Sequence, residues 1–135
     1  TYDISGEGYS GTITIKNNTV KANLTFGNIL YSGDLDKDGL LIGNAVITYP
    51  NGDVFTGSVS NGKKTKGTYK FKNGDSFNGT FVNDLMNQGS YIFQTGQILS
   101  GTFENGIPSG TMTYTVGSTK YTTTWKNGKC TNITK

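Results

Sequence analysis

Three groups of side chains in this sequence have the types and spacing to bind something. The first is Asp34-Leu35-Asp36-Lys37-Asp38-Gly39, where carboxylates alternate and end on glycine. Hard oxygen ligands at alternate positions can converge on a hard cation, so Asp34, Asp36 and Asp38 form a candidate, weakly held calcium site. A calcium loop of the EF-hand type would close on a glutamate where this chain has Ala45, and that loop type is excluded. The competing and stronger reading is a hairpin turn, which favours Asp and Gly on conformational grounds alone. The second group is Lys63, Lys64 and Lys66, read as part of a turn and followed by Lys70 and Lys72. Such a cluster suits anionic lipid heads or an acidic glycan. It equally suits solvated lysines that deter pairing between sheets, and Asp53, Asp75 and Asp84 lie close by in sequence. The third group is aromatic: Tyr49, Tyr69, Tyr91, Phe93, Tyr114 and Trp125. A row of such rings can grip a peptide, a helix or a glycan by stacking and apolar burial. Against that stands the protein's own core, which claims rings for the same reason.

Catalytic chemistry has little to work with. The 135 residues contain no histidine, and all 12 positive charges are lysines. The commonest general base and metal ligand is therefore absent, and so is the guanidinium fork that reads phosphate and guanine. Glu7 and Glu104 are the only glutamates and lie far apart in sequence, and no paired inward carboxylates are expected. Cys130 is the single cysteine, so no internal disulfide forms, and no imidazole exists to activate its thiol. The expectation is no catalytic residue, no cofactor apart from the calcium candidate, and no specific nucleic-acid partner.

The elements that position these groups follow from a repeat. Shifted by 22 residues, Phe55 falls on Phe77 and Leu99, Gly57 on Gly79 and Gly101, and Tyr69 on Tyr91. A period of this size signals one supersecondary unit stacked on copies of itself. Openings of the same form stand at Tyr9, Tyr31, Phe55, Phe77, Leu99 and Tyr121. Each opening leads into a turn rich in Asn, Asp and Gly, and then into a second strand. One repeat is thus one β-hairpin, and eleven or twelve short strands are expected. The repeats run near 9–30, 31–54, 55–76, 77–98, 99–120 and 121–135, after a lead-in or cap at 1–8. Strand parity places the large apolar residues and the glycines on one face, and Thr, Ser, Lys, Asn and Asp on the other. The fold class expected is all-β: an extended, twisted, single-layer antiparallel meander of about six hairpins forming one domain.

At these residues the sequence resembles the MORN-repeat family. The segment from Ile47 to Lys63, I-T-Y-P-N-G-D-V-F-T-G-S-V-S-N-G-K, fits the family's closing and opening motifs, and Lys70 to Asp84 fits nearly as well. The resemblance covers about residues 9–129. It departs at Lys21-Ala22, where glycines would stand, and at Thr123, which replaces an opening glycine. End repeats of stacked arrays are commonly atypical, since one side lacks a neighbour. The resemblance implies an aromatic-lined groove and a role in binding proteins, in self-association or at membranes rather than in catalysis.

The function expected is a non-enzymatic binding or assembly module that presents this groove to a protein or peptide, including another copy of itself. The alternative is adhesion to anionic lipid or cell-wall glycan through the lysine-rich turns. The chain begins at Thr1, and its Thr- and Asn-rich repeats, with sequons at Asn17, Asn23, Asn78 and Asn132, fit a secreted or cell-surface fragment.

Overall fold

The computed structural model describes residues 2–17 and 19–135, so Thr1 of the lead-in and Asn18 of the first hairpin turn lie outside the described residues. Two compact units divide at Gly67 and Thr68. The first contains β1 (Tyr2–Gly6), β2 (Tyr9–Lys16), β3 (Thr19–Phe26), β4 (Ile29–Leu35), β5 (Leu41–Thr48) and β6 (Val54–Ser60). Strand β7 (Lys63–Lys70) carries the chain across the division. The second contains β8 (Ser76–Val82), β9 (Leu85–Ile92), β10 (Ile98–Glu104), β11 (Ile107–Val116), β12 (Thr119–Lys126) and β13 (Lys129–Thr134). Within each unit the strands pair antiparallel in chain order, and the described residues contain no helix. The fold is the expected all-β meander of hairpins. Among the described residues there are thirteen strands rather than eleven or twelve, because the lead-in itself forms β1 and pairs with β2 from Tyr2↔Ile13 to Gly6↔Tyr9.

The turns show why the strands are short. Asn61-Gly62, Asn105-Gly106 and Asn127-Gly128 have φ of 53° and 76°, 52° and 83°, and 55° and 78°. Positive φ at both central residues is the two-residue hairpin turn whose twist matches that of the strands. Asn83-Asp84 makes the same turn without glycine, at 52° and 66°. Three of the alternate connections are wider. In Tyr49–Asp53, Phe71–Asp75 and Phe93–Gln97 the first N–H donates to the fifth carbonyl at 2.9 Å. The fourth residue, a glycine, donates back to the first carbonyl at 2.8–3.0 Å.

Parity then builds the face. Cross-strand partners in the first unit align Leu24, Tyr31, Ile47 and Phe55 in a row of large residues, beside Ala22, Gly33, Ala45 and Gly57 in a row of small ones. The second unit aligns Phe77, Tyr91, Leu99, Tyr114 and Tyr121, beside Gly79, Gly89 and Gly101. Phe55 and Phe77 are both fully buried, at 0 % exposure. The small row lets the rings lie down. A Cβ added to Gly67 would come within 2.7 Å of Gly57 Cα and 3.1 Å of the Phe55 ring, so two facing glycines leave the slot that the ring covers.

Candidate binding surface

The second unit concentrates the rings. Tyr69, Phe71, Tyr91, Phe93, Tyr114 and Tyr121 follow one another with centroid separations of 4.8, 5.5, 5.0, 6.4 and 6.5 Å. Each of the six is half-buried. Phe77, the cross-strand partner of Tyr91, is fully buried, and its ring meets Phe81 at 5.4 Å and Phe103 at 5.3 Å, both edge-on. Phe103 reaches Phe77 from two strands away, across the level where Gly79, Gly89 and Gly101 face one another. The core claims Phe77, Phe81 and Phe103, and the row of six rings stays half in solvent.

Four of the expected binding residues, Tyr69, Tyr91, Phe93 and Tyr114, are brought together in this row. Phe71 and Tyr121 complete it. Phe71 was legible as the copy of Phe93 one repeat earlier, and Tyr121 as the opening that pairs with Tyr114. Tyr49 belongs to the first unit. Trp125 stands apart from the row: its Nε1–H donates to Thr123 Oγ1 at 2.8 Å, and that hydroxyl donates to the Met112 carbonyl at 2.8 Å. Thr123 is 2 % exposed, so the residue that breaks the glycine pattern is a buried connector satisfied on both sides. Trp125, Ile107, Pro108 and Ser109 also line a shallow cavity of about 320 Å³.

Electrostatics fix one ring. The Tyr91 hydroxyl donates to Asp75 Oδ2 at 2.8 Å, and the Gln94 N–H donates to Oδ1 at 2.8 Å. The Tyr91 bond, then the Gln94 bond, hold the Asp75 carboxyl below its ordinary value, and Asn73 adds to this while desolvation works against it. The wide turn Phe71–Asp75 therefore pins the phenol of the neighbouring hairpin.

The lysines and aspartates are placed differently from the sequence expectation. Lys63, Lys64 and Lys66 lie on β7, not in a turn, because Asn61-Gly62 completes the reversal in two residues. Lys63 and Lys66 are exposed. Lys64 lies over the rings of Tyr49 and Phe55, 5.7 and 5.9 Å from their centroids, and donates to the Tyr49 hydroxyl at 3.1 Å. Asp34 is the next-to-last residue of β4 and pairs with Lys21 at 3.4 Å. Asp36 Oδ1 accepts the N–H groups of Asp38 and Leu40 at 2.8 and 3.0 Å, an Asx-type closure of its own loop. Asp38 is exposed. Among the described residues no three His, Cys, Asp or Glu side chains converge as metal ligands.

The repeat geometry is matched by comparison with known families. The family model of the MORN repeat matches residues 31–54, 55–76 and 77–98, just over half of the chain. The chain belongs to the MORN-repeat family. Its MORN repeats are of a kind that generally serves in non-catalytic binding of proteins or membranes. No curated protein matches the chain. The matched MORN repeats include β6 and β8, whose phenylalanines are buried, and four rings of the row, Tyr69, Phe71, Tyr91 and Phe93. The remainder of that row lies beyond the matched segments.

Proposed function

We propose that the chain is a non-enzymatic binding module whose row of rings in the second unit receives a protein or peptide segment. The carrying observation is the row itself: six half-buried rings at 4.8–6.5 Å, one of them locked by a carboxylate. Side chains on one face of an extended peptide recur every ~6.7 Å, which suits the wider steps from Phe93 through Tyr114 to Tyr121. Rings already fixed in place lose little freedom on binding, so the apolar area they bury goes into affinity. The MORN family is generally non-catalytic, which suits a binding role.

Selection from a random peptide library tests this reading. Enriched peptides should carry alternating apolar residues and lose binding to a variant with Tyr91→Ser and Phe93→Ser. A selection that enriches nothing, or peptides that bind the variant equally, overturns it. Anionic vesicles are the second probe. Vesicle binding that survives Tyr91→Ser and is lost on Lys63→Glu with Lys66→Glu would replace peptide recognition by surface adhesion through the lysines.

A further inference from the structure

The outermost strands of the two units carry opposite charge, and each ends a buried row on an exposed apolar side chain. Strand β1 pairs with β2, β13 pairs with β12, and the outer edge of each is free of strand partners among the described residues. Residues 1–15 contain Asp3 and Glu7 and no lysine. Residues 105–135 contain Lys120, Lys126, Lys129 and Lys135 and no acid. All six of these side chains are exposed. In the first unit the row Tyr2–Ile13–Ala22 runs from a buried alanine, 3 % exposed, out to Tyr2 at 62 %. In the second, Met112–Thr123–Ile133 runs from 1 % and 2 % out to Ile133 at 59 %. Both rows stop where one more strand would cover them.

We propose that β1 of one copy adds to the edge of β13 of a second copy, so that the chain associates head to tail. Like edges repel: β13 against β13 sets lysine against lysine, and β1 against β1 sets acid against acid. The unlike pair, taken parallel so that the two apolar faces stay on one side of the joined sheet, brings Asp3 toward Lys129 and Glu7 toward Lys135. Edge lysines guard against indiscriminate pairing, and here the guard admits an acidic strand. Because the two surfaces differ, the contact is heterologous and does not close as a simple two-fold dimer. This inference concerns strand edges and stands apart from the ring row.

Sedimentation velocity of the full chain tests it. The average mass should rise with concentration and fall as salt goes from about 20 mM to about 500 mM, where exposed charges are screened. Asp3→Lys with Glu7→Lys makes both edges basic, and Lys129→Glu with Lys135→Glu makes both acidic. Each variant alone should associate on the order of tenfold more weakly, and an equimolar mixture should regain association, since like charges now oppose only within each variant. Unchanged circular dichroism confirms that the variants fold. A mass equal to the monomer at every concentration of the unaltered chain overturns the proposal. So does association indifferent to salt, or a mixture no better than its parts. Association lost through Tyr91→Ser but kept in both charge variants overturns it as well, and points to the ring row instead.

Discussion

The two units make the same face from different materials. The first lines up Leu24, Tyr31, Ile47 and Phe55 against Ala22, Gly33, Ala45 and Gly57, so its small row retains two methyl groups. The second opposes Phe77, Tyr91, Leu99, Tyr114 and Tyr121 to a run of three glycines, and rings from several strands fill the space. One period can thus yield a surface of alternating aliphatic and aromatic side chains or one with a longer run of rings. Parity decides which face a residue joins, and the side chains of the small row decide how far a ring can reach across it. Where the glycine run ends, Met112 and Thr123 take over, and a hydrogen-bonded hydroxyl stands in the place of empty space.

The sharpest way to break the second unit is Phe77→Ala. Its ring is fully buried between Phe81 and Phe103, and truncation should cost about 3–5 kcal/mol in urea unfolding. Gly89→Val should follow at about 2–3 kcal/mol. Its φ is 155°, and a Cβ there would collide with the Asn78 carbonyl and approach Gly79 Cα to 2.7 Å. Gly43→Ala in the first unit is the contrast: φ is 75° but nothing stands in the way, and only the backbone cost of about 1–2 kcal/mol remains. Thr123→Val keeps the volume and removes the bridge between Met112 and Trp125, for about 1–2 kcal/mol and a shift in tryptophan fluorescence.

The smallest effect depends on pH. Because the folded Asp75 carboxyl titrates below its ordinary value of 3.8, its contribution is complete above that pH and fades as pH falls through the lowered folded value. Asp75→Asn should lower the melting temperature at pH 7 and narrow its difference from the unaltered chain below about pH 4. A difference constant from pH 7 to pH 3 would mean that the Tyr91 bond does not depend on the charge.

Much of this was legible in the chain. The 22-residue shift located the hairpins, and alternation placed Phe55, Gly57, Phe77 and Gly79 on one face. The family resemblance, carried by Tyr49-Pro50-Asn51-Gly52-Asp53 and its copy, agrees with the MORN match. What escaped was set by single contacts. Lys64 reads as a surface charge, yet it stands at the repeat position of Met86 and Pro108, and its stem and ammonium settle on Tyr49 and Phe55. Thr123 reads as wear in the pattern, and only its two hydrogen bonds reveal a fitted part. Strand β1 escaped because Y-D-I-S-G carries no repeat signature, and its pairing is decided by the edge of β2.

The chain-order pairing of the strands also bears on how such a protein changes length. Within each unit every strand takes its partners from its immediate neighbours along the chain. Asn61, Asn83, Asn105 and Asn127 each set a two-residue reversal together with the residue after it. A duplicated hairpin therefore brings both its own reversal and its own slot for a ring, and it asks of its neighbours only an edge with the right alternation. In-frame duplication or loss of one hairpin is then a small step for the fold, and the extent of the surface offered to a partner can be tuned by gene length rather than by redesign of a core.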